Sequence, residues 1–173
     1  MKSIQFVLGG CRSGKSRYAL NIANQNWHDP KFFIATCEPL DNEMQQRIEH
    51  HQEERGPNWH TIECPIDIDQ SILQLPVPKG GILIDCMTLW MSNLMCNNMD
   101  EQVIKNQVTA LIESLSRVEC PIIIVSNEVG LGIVPENSMA RMYRDLVGYT
   151  NQRIAAIADR VILMVAGISL VIK

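Results

Sequence analysis

The chain has 173 residues, of which 46% are hydrophobic and 20% charged, and its formal net charge is −4 at pH 7. This length suits one domain with a substantial core, so we expect a single domain over residues 1–173. The negative net charge provides no positive electrostatic potential that would attract nucleic acid. No apolar run approaches the ~20 residues that span a bilayer. With no visible signal peptide and six scattered cysteines without metal-ligand spacing, we expect a cytoplasmic protein with buried, free thiols.

Short β-rich runs alternate with longer helical ones along the chain. Strands are predicted at residues 3–8, 31–36, 59–63, 81–84, 121–126, 160–165 and 168–172, and helices at 15–24, 42–54, 88–96, 101–117 and 136–158. This alternation predicts an α/β fold with a mostly parallel sheet of about seven strands and helices on both faces. Only a hairpin fits between the last two strands, so the C-terminal strand should be antiparallel.

A glycine-rich motif follows the first predicted strand. Residues 9–16 have the spacing G-x-x-x-x-G-K-S and lead into a predicted helix, which is typical of a phosphate-binding loop. In such a loop the backbone N–H groups face phosphate oxygens, Lys15 reaches the β- and γ-phosphates, and the Ser16 hydroxyl binds Mg²⁺. The motif therefore predicts a nucleoside triphosphate as ligand, bound by Gly9, Gly10, Cys11, Arg12, Ser13, Gly14, Lys15 and Ser16.

Acidic side chains stand at the ends of later predicted strands. Ligands of open α/β sheets lie at the carboxyl ends of the strands, so these residues should face the nucleotide or its acceptor. Asp85 either holds Mg²⁺, directly or through water, or is a turn residue. Glu128 either positions an acceptor hydroxyl or a metal-bound water, or caps the chain that follows. Glu63, at the end of the predicted strand 59–63, is a further nucleotide-binding candidate.

Two adjacent histidines, His50 and His51, lie on the predicted helix 42–54. Arg47 is four residues before His51 and therefore shares its face. A cation there would depress the pKa of His51 and keep the imidazole neutral, as a nucleophile must be. A solvated helix surface with two incidental histidines explains the same spacing, and the spacing alone favours that interpretation.

Motifs along essentially the whole chain resemble those of one family. Besides the phosphate loop with Arg17, they are Ile34-Ala-Thr36, Asp41-x-Glu-Met-x-x-Arg-Ile-x-His-His51, Asp85-Cys-Met-Thr-Leu-Trp-x-x-Asn-Leu94, Ser126-Asn-Glu-Val-Gly-x-Gly-Ile-Val-Pro-Glu136, Arg141-x-x-Arg-Asp-x-x-Gly-x-x-Asn-Gln152 and Gly167-Ile-Ser-Leu-Val-Ile-Lys173. The chain resembles the bifunctional adenosylcobinamide kinase / adenosylcobinamide-phosphate guanylyltransferase family of corrinoid (vitamin B12) assembly. Cys11 departs from the pattern, since the family usually has a small residue such as alanine there.

The resemblance implies a RecA-like fold, a homotrimer and two reactions. ATP or GTP phosphorylates adenosylcobinamide, and GTP then donates GMP to adenosylcobinamide phosphate, through a guanylyl-histidine, to give adenosylcobinamide-GDP. Carried onto this sequence, the guanylylated histidine is His51, the other catalytic residues are Lys15 and Asp85, and Mg²⁺ binds at Ser16 and Asp85. The partners implied are a small-molecule corrinoid and the nucleotide.

Two other functions use the same phosphate loop. A plain small-molecule kinase would need no covalent histidine, and its activity would survive the change His51→Ala. A nucleotide-dependent switch or assembly ATPase would have no small acceptor and would respond to a protein partner. A methionine-rich stretch could line a corrinoid pocket, although such a face is more typical of a core; its members are Trp90, Met91, Met95 and Met99.

Overall fold

The computed structural model describes residues 2–38, 55–76 and 80–173. These residues form a seven-stranded sheet in the order β3-β2-β4-β5-β1-β6-β7. The strands are β1 (Ser3–Gly9), β2 (Lys31–Ala35), β3 (Trp59–Glu63), β4 (Gly81–Asp85), β5 (Pro121–Asn127), β6 (Arg160–Val165) and β7 (Ile168–Val171). The helices are α1 (Lys15–Asn26), α2 (Ile68–Gln74), α3 (Met87–Cys96), α4 (Glu101–Arg117) and α5 (Ser138–Ile157).

The strand pairing confirms the predicted sheet. In the described residues β1 to β6 pair in parallel, and β7 runs antiparallel to β6. Strand β1 lies between β5, the central strand, and β6, so its carboxyl end lies in the interior of one edge of the sheet. This topology brings the exits of β1, β4 and β5 close together, and a ligand of an open α/β sheet binds at such an edge.

Both faces of the sheet are covered, as continuously apolar strands predict. Along β1, Phe6 and Leu8 contribute to the core on the face packed by α2 to α5, whereas Val7 contributes to the core on the opposite face, packed by α1. Trp90 and Met91 are completely buried in the first of these cores. The interpretation of these two residues as core is therefore confirmed.

Three features differ from the sequence predictions. Helix α2 was not predicted, because its seven residues directly follow a proline-containing turn and are too few to show a helical period. Helix α5 begins at Ser138, since the Asn137 side chain accepts a hydrogen bond from the Ala140 N–H and caps it. All cysteines are free, but only Cys64 and Cys120 are buried, so the expectation of buried thiols was wrong for the others.

The predicted helix 42–54 lies outside the described residues. In the part of the chain that the structure does describe, no helix is both long enough and apolar enough to cross a membrane.

Candidate active site

The loop after β1 has a backbone that only glycine fits at two points. Gly14, directly before α1, adopts a φ of 94°, in the left-handed region that disfavours other residues. At Gly9 a Cβ atom would lie 2.4 Å from the Met164 carbonyl oxygen and 2.6 Å from the Ser13 hydroxyl oxygen. Strand β6 therefore packs so closely against the start of the loop that residue 9 has no room for a side chain. The left-handed backbone explains the second glycine of the motif, Gly14.

Lys15 is buried inside this loop. Its ammonium group donates hydrogen bonds to the Gly10 carbonyl oxygen at 2.6 Å and to the Ser13 hydroxyl at 3.5 Å. Loss of solvent lowers the pKa of Lys15, and the nearby Asp85 carboxylate opposes this effect. The loop thus holds a desolvated cation at the N-terminus of α1, next to the half-buried Ser16. Such an arrangement suits a polyphosphate.

The pairing register places the ends of these strands along one edge of the sheet. Gly9 is opposite Asn127 of β5 and Met164 of β6. Asp85 is opposite Val125 of β5. Because β5 alone separates β1 from β4 and Gly9 lies two residues farther along the strands, Asp85 is about 12 Å from Gly9. Both residues therefore lie at the carboxyl edge of the sheet.

A second cation, which the sequence analysis missed, lies in the electrostatic field of Asp85. Arg55 is buried, with its guanidinium group 3.9 Å from the centre of the Phe33 ring. Burial lowers the pKa of Arg55, and Asp85 opposes this effect, as it does at Lys15. An arginine before Gly56-Pro57 carries no motif, so only the tertiary structure reveals its position. Among the described residues, the Asp85 carboxylate acts on both of these desolvated cations.

Hydrogen bonds between the strand ends fix the chain that follows Asp85. The Thr36 hydroxyl donates to the Cys86 carbonyl oxygen and accepts from the Cys86 N–H, both at 2.8 Å. Asn93 of α3 donates to the Thr36 carbonyl oxygen at 2.8 Å. Asn127 donates to the Thr88 hydroxyl at 3.2 Å and thereby links the exit of β5 to α3. These bonds hold the exits of β2, β4 and β5 in register with one another.

Glu128 contacts the loop in which it lies. Its backbone N–H donates to the Gly9 carbonyl oxygen at 3.0 Å, and its carboxylate accepts from the Gly130 N–H at 2.6 Å. This second bond favours the capping alternative for the side chain. The backbone bond joins the segment after β5 directly to the phosphate loop.

The remaining candidates are farther away or outside the description. Glu63 is exposed at the end of β3, four strands from β1 and about 19 Å from Gly9 across the sheet. It could therefore contact only a part of the nucleotide remote from the loop. Cys11 and Arg12 are exposed on the loop itself. His50, His51 and Arg47 lie outside the described residues.

Comparison with known proteins identifies the family. Residues 5–172 match the family described as cobinamide kinase / cobinamide phosphate guanyltransferase. The chain belongs to this family. The bifunctional adenosylcobalamin biosynthesis protein CobU of Salmonella typhimurium is 40% identical, over 96% of this chain and 98% of its own. The CobU protein of Escherichia coli is 37% identical over the same shares, and CobP of Pseudomonas aeruginosa is 38% identical over 96% of this chain and 95% of its own.

Solved structures extend the comparison to the fold. The RadB recombinase is 14% identical and matches 93% of this chain and 73% of its own, with a TM-score of 0.51. This likeness shows a RecA-like phosphate-binding-loop fold. The family makes the chain a bifunctional cobinamide kinase and guanylyltransferase of cobalamin biosynthesis, with cobinamide and a nucleotide as substrates.

Proposed function

We propose that this enzyme phosphorylates adenosylcobinamide with ATP or GTP and then transfers GMP from GTP to adenosylcobinamide phosphate, forming adenosylcobinamide-GDP through a guanylyl-histidine at His51. The observation that carries the proposal is the buried Lys15 in a phosphate loop, with Asp85 in its field at the same edge of the sheet. Phosphoryl transfer requires alignment and neutralisation of charge more than covalent assistance, and these groups can supply both.

In the kinase step, the loop amides and Lys15 would bind the β- and γ-phosphates while the acceptor hydroxyl approaches the γ-phosphorus. Arg55 is placed to add a second positive charge near the transferred group. Its burial against Phe33 restricts its motion, so little side-chain entropy is lost when it meets an anion.

The oxygen donors at this edge fit Mg²⁺, which prefers a few carboxylate or hydroxyl oxygens together with phosphate oxygens. Ser16 would bind it directly and Asp85 directly or through water. In the described part of the chain, no three His, Cys, Asp or Glu residues gather as a metal site, which agrees with an ion held largely by its nucleotide. The ion would supply charge neutralisation on the transferred phosphates.

In the guanylyl transfer, a neutral His51 imidazole nitrogen attacks the α-phosphorus of GTP, and the bond to pyrophosphate breaks. A phosphate oxygen of adenosylcobinamide phosphate then attacks the same phosphorus, the P–N bond breaks, and the imidazole is restored. The resemblance of residues 41–51 to the motif of the family supports His51 as the nucleophile.

The test of the covalent step is labelling with α-³²P-GTP and Mg²⁺, followed by denaturation. We expect acid-labile, alkali-stable label on the chain, absent from His51→Ala and retained by the matched variant His50→Ala. GTP labelled at the γ-phosphate should leave no label on the protein. Absence of α-label, while phosphoryl transfer to cobinamide continues, would reduce the enzyme to a kinase without a covalent intermediate.

We also propose that the enzyme is a homotrimer. The hairpin of β6 and β7 lies at the edge of the sheet and exposes Val165, Ile168, Leu170, Val171 and Ile172. An apolar edge strand promotes association unless another surface covers it, and a second copy of the chain would do so. Light scattering should give the mass of three chains, and Leu170→Lys should reduce it.

A further inference from the structure

The segment between β5 and α5 exposes aliphatic side chains beside the active site. Residues 129–135 contain no charged residue, and within them Leu131 is 86% exposed, Ile133 96% and Val134 58%. We call Leu131, Ile133 and Val134 the apolar loop. Three neighbouring aliphatic residues with so much exposed surface indicate a binding surface, whereas single exposed apolar residues need no such explanation.

The apolar loop is anchored at both ends. On the β5 side, the Glu128 carboxylate accepts from the Gly130 N–H. On the α5 side, the Arg141 guanidinium donates to the carbonyl oxygens of Pro135 at 3.0 Å and Glu136 at 2.5 Å. The exposed side chains are therefore presented from fixed ends, which reduces the conformational entropy that would be lost when a ligand binds.

The chain that leads into this surface is bonded directly to the phosphate loop. The Glu128 N–H donates to the Gly9 carbonyl oxygen, and Leu131 follows three residues later. Three residues place the Leu131 Cα at most about 11 Å from the Glu128 Cα. A ligand that contacts the apolar loop is thus a neighbour of any phosphate bound above Gly9.

We propose that the apolar loop is the docking surface for the corrin ring of the cobinamide substrate. This inference rests on the proposed function and adds to it the site of the acceptor. The reacting hydroxyl of cobinamide ends a short arm, so the bulky macrocycle must remain outside the phosphate loop while the arm enters it. The ring carries many methyl groups at its rim, and the burial of methyl groups against Leu131, Ile133 and Val134 is favourable.

The methionine-rich stretch considered in the sequence analysis does not offer such a surface, since Met95 and Met99 pack against the core. Trp90 and Met91 are enclosed in the core, and the Trp90 indole N–H is bonded to the Ile66 carbonyl oxygen at 2.6 Å. The same surface can serve both reactions, because the acceptor keeps its ring while the end of its arm changes from hydroxyl to phosphate. The docking surface would then hold the ring in place for each transfer.

The experiment measures binding of cobinamide to the full-length protein by equilibrium dialysis, with the corrin absorbance as readout. We expect the double variant Leu131→Ser, Ile133→Ser to raise Kd by about tenfold or more, the loss that corresponds to part of two buried aliphatic side chains. The matched control is Leu73→Ser, which changes a half-exposed leucine near the end of α2 and should bind as the wild type does. Ile133→Leu should also retain affinity.

Labelling of the chain by α-³²P-GTP needs no corrinoid and should be unchanged in the double variant. A wild-type Kd in the double variant would overturn the proposal, and a lower assembly mass with unchanged Kd would assign the surface to a second copy of the chain instead. If the wild type itself neither binds nor phosphorylates cobinamide, the proposed function fails together with the docking surface. If the wild type binds and phosphorylates cobinamide and the double variant binds it equally well, the docking surface alone fails.

Discussion

The hydroxyl of Thr36, at the end of β2, bonds to both backbone polar groups of Cys86, at the end of β4. The two residues are 50 positions apart in the chain, and each bond is 2.8 Å long. Cys86 follows Asp85 directly, so this pair determines how the chain leaves β4 beside the proposed metal ligand. The Thr36 hydroxyl thus both stabilises this edge of the sheet and fixes the position of Asp85.

Replacing this hydroxyl should destabilise the protein. In Thr36→Val the shape is preserved, but the Cys86 N–H loses its acceptor in a buried environment, which costs about 2 kcal/mol. Chemical denaturation should show this decrease in the free energy of unfolding. Thr36→Ser keeps the hydroxyl and should lose much less. Equal free energies of unfolding for the valine and serine variants would mean that the Thr36 hydroxyl does not stabilise this edge of the sheet.

The glycines of the phosphate loop should tolerate alanine very differently. Gly9→Ala places a Cβ 2.4 Å from the Met164 carbonyl oxygen, so the loop or β6 must shift and nucleotide affinity should decrease by at least tenfold. Gly10→Ala meets no atom within 4 Å and should bind nearly as the wild type does. Isothermal titration with GTP compares the two. Similar affinities in both variants would contradict the close approach of β6.

Lys15 should reduce the stability of the nucleotide-free protein. Burial lowers the pKa of Lys15 below its ordinary value of 10.5, so the unfolded chain keeps the proton at pH values where the folded chain has lost it. Wild-type stability should therefore rise with pH in that window. Lys15→Met should be more stable than the wild type at neutral pH, with a difference that shrinks as pH rises toward 10.5.

Urea denaturation across pH measures this difference in the free energy of unfolding. The same variant should lose phosphoryl transfer, since the phosphates lose their cation. A constant stability difference from pH 7 upward would indicate that the charge of Lys15 is not its cause.

Asp85 should affect both metal binding and the neighbouring cations. Asp85→Asn should lower kcat for phosphoryl transfer by about 10²-fold or more and raise the Mg²⁺ concentration needed for activity. Because the Asp85 carboxylate raises the pKa of Lys15, its loss should move the alkaline limit of nucleotide binding to lower pH. Glu113→Gln, an exposed change on α4, is the matched control. An unchanged Mg²⁺ requirement would leave Asp85 without a metal role.

Much of the fold follows from the local pattern of the sequence. The β-rich runs predicted every strand to within one residue at each end. The signal is strongest in β4 and β5, which are covered on both faces and are rich in Ile, Leu and Val. The spacing of Gly9, Gly14, Lys15 and Ser16 predicted the phosphate loop for a similar reason, since the chemistry of that loop is contained in eight consecutive residues.

The sequence by itself therefore determined the strands, the phosphate loop and, through motifs along the chain, the family. Only the tertiary structure decided the order of the strands, the burial of Arg55 against Phe33 and the bond between Thr36 and Cys86. It also decided that Trp90 is core while Ile133 is exposed, although both are apolar. The physical reason is that periodicity reports the immediate neighbours of a residue, whereas burial and electrostatic partners depend on residues brought together from distant parts of the chain.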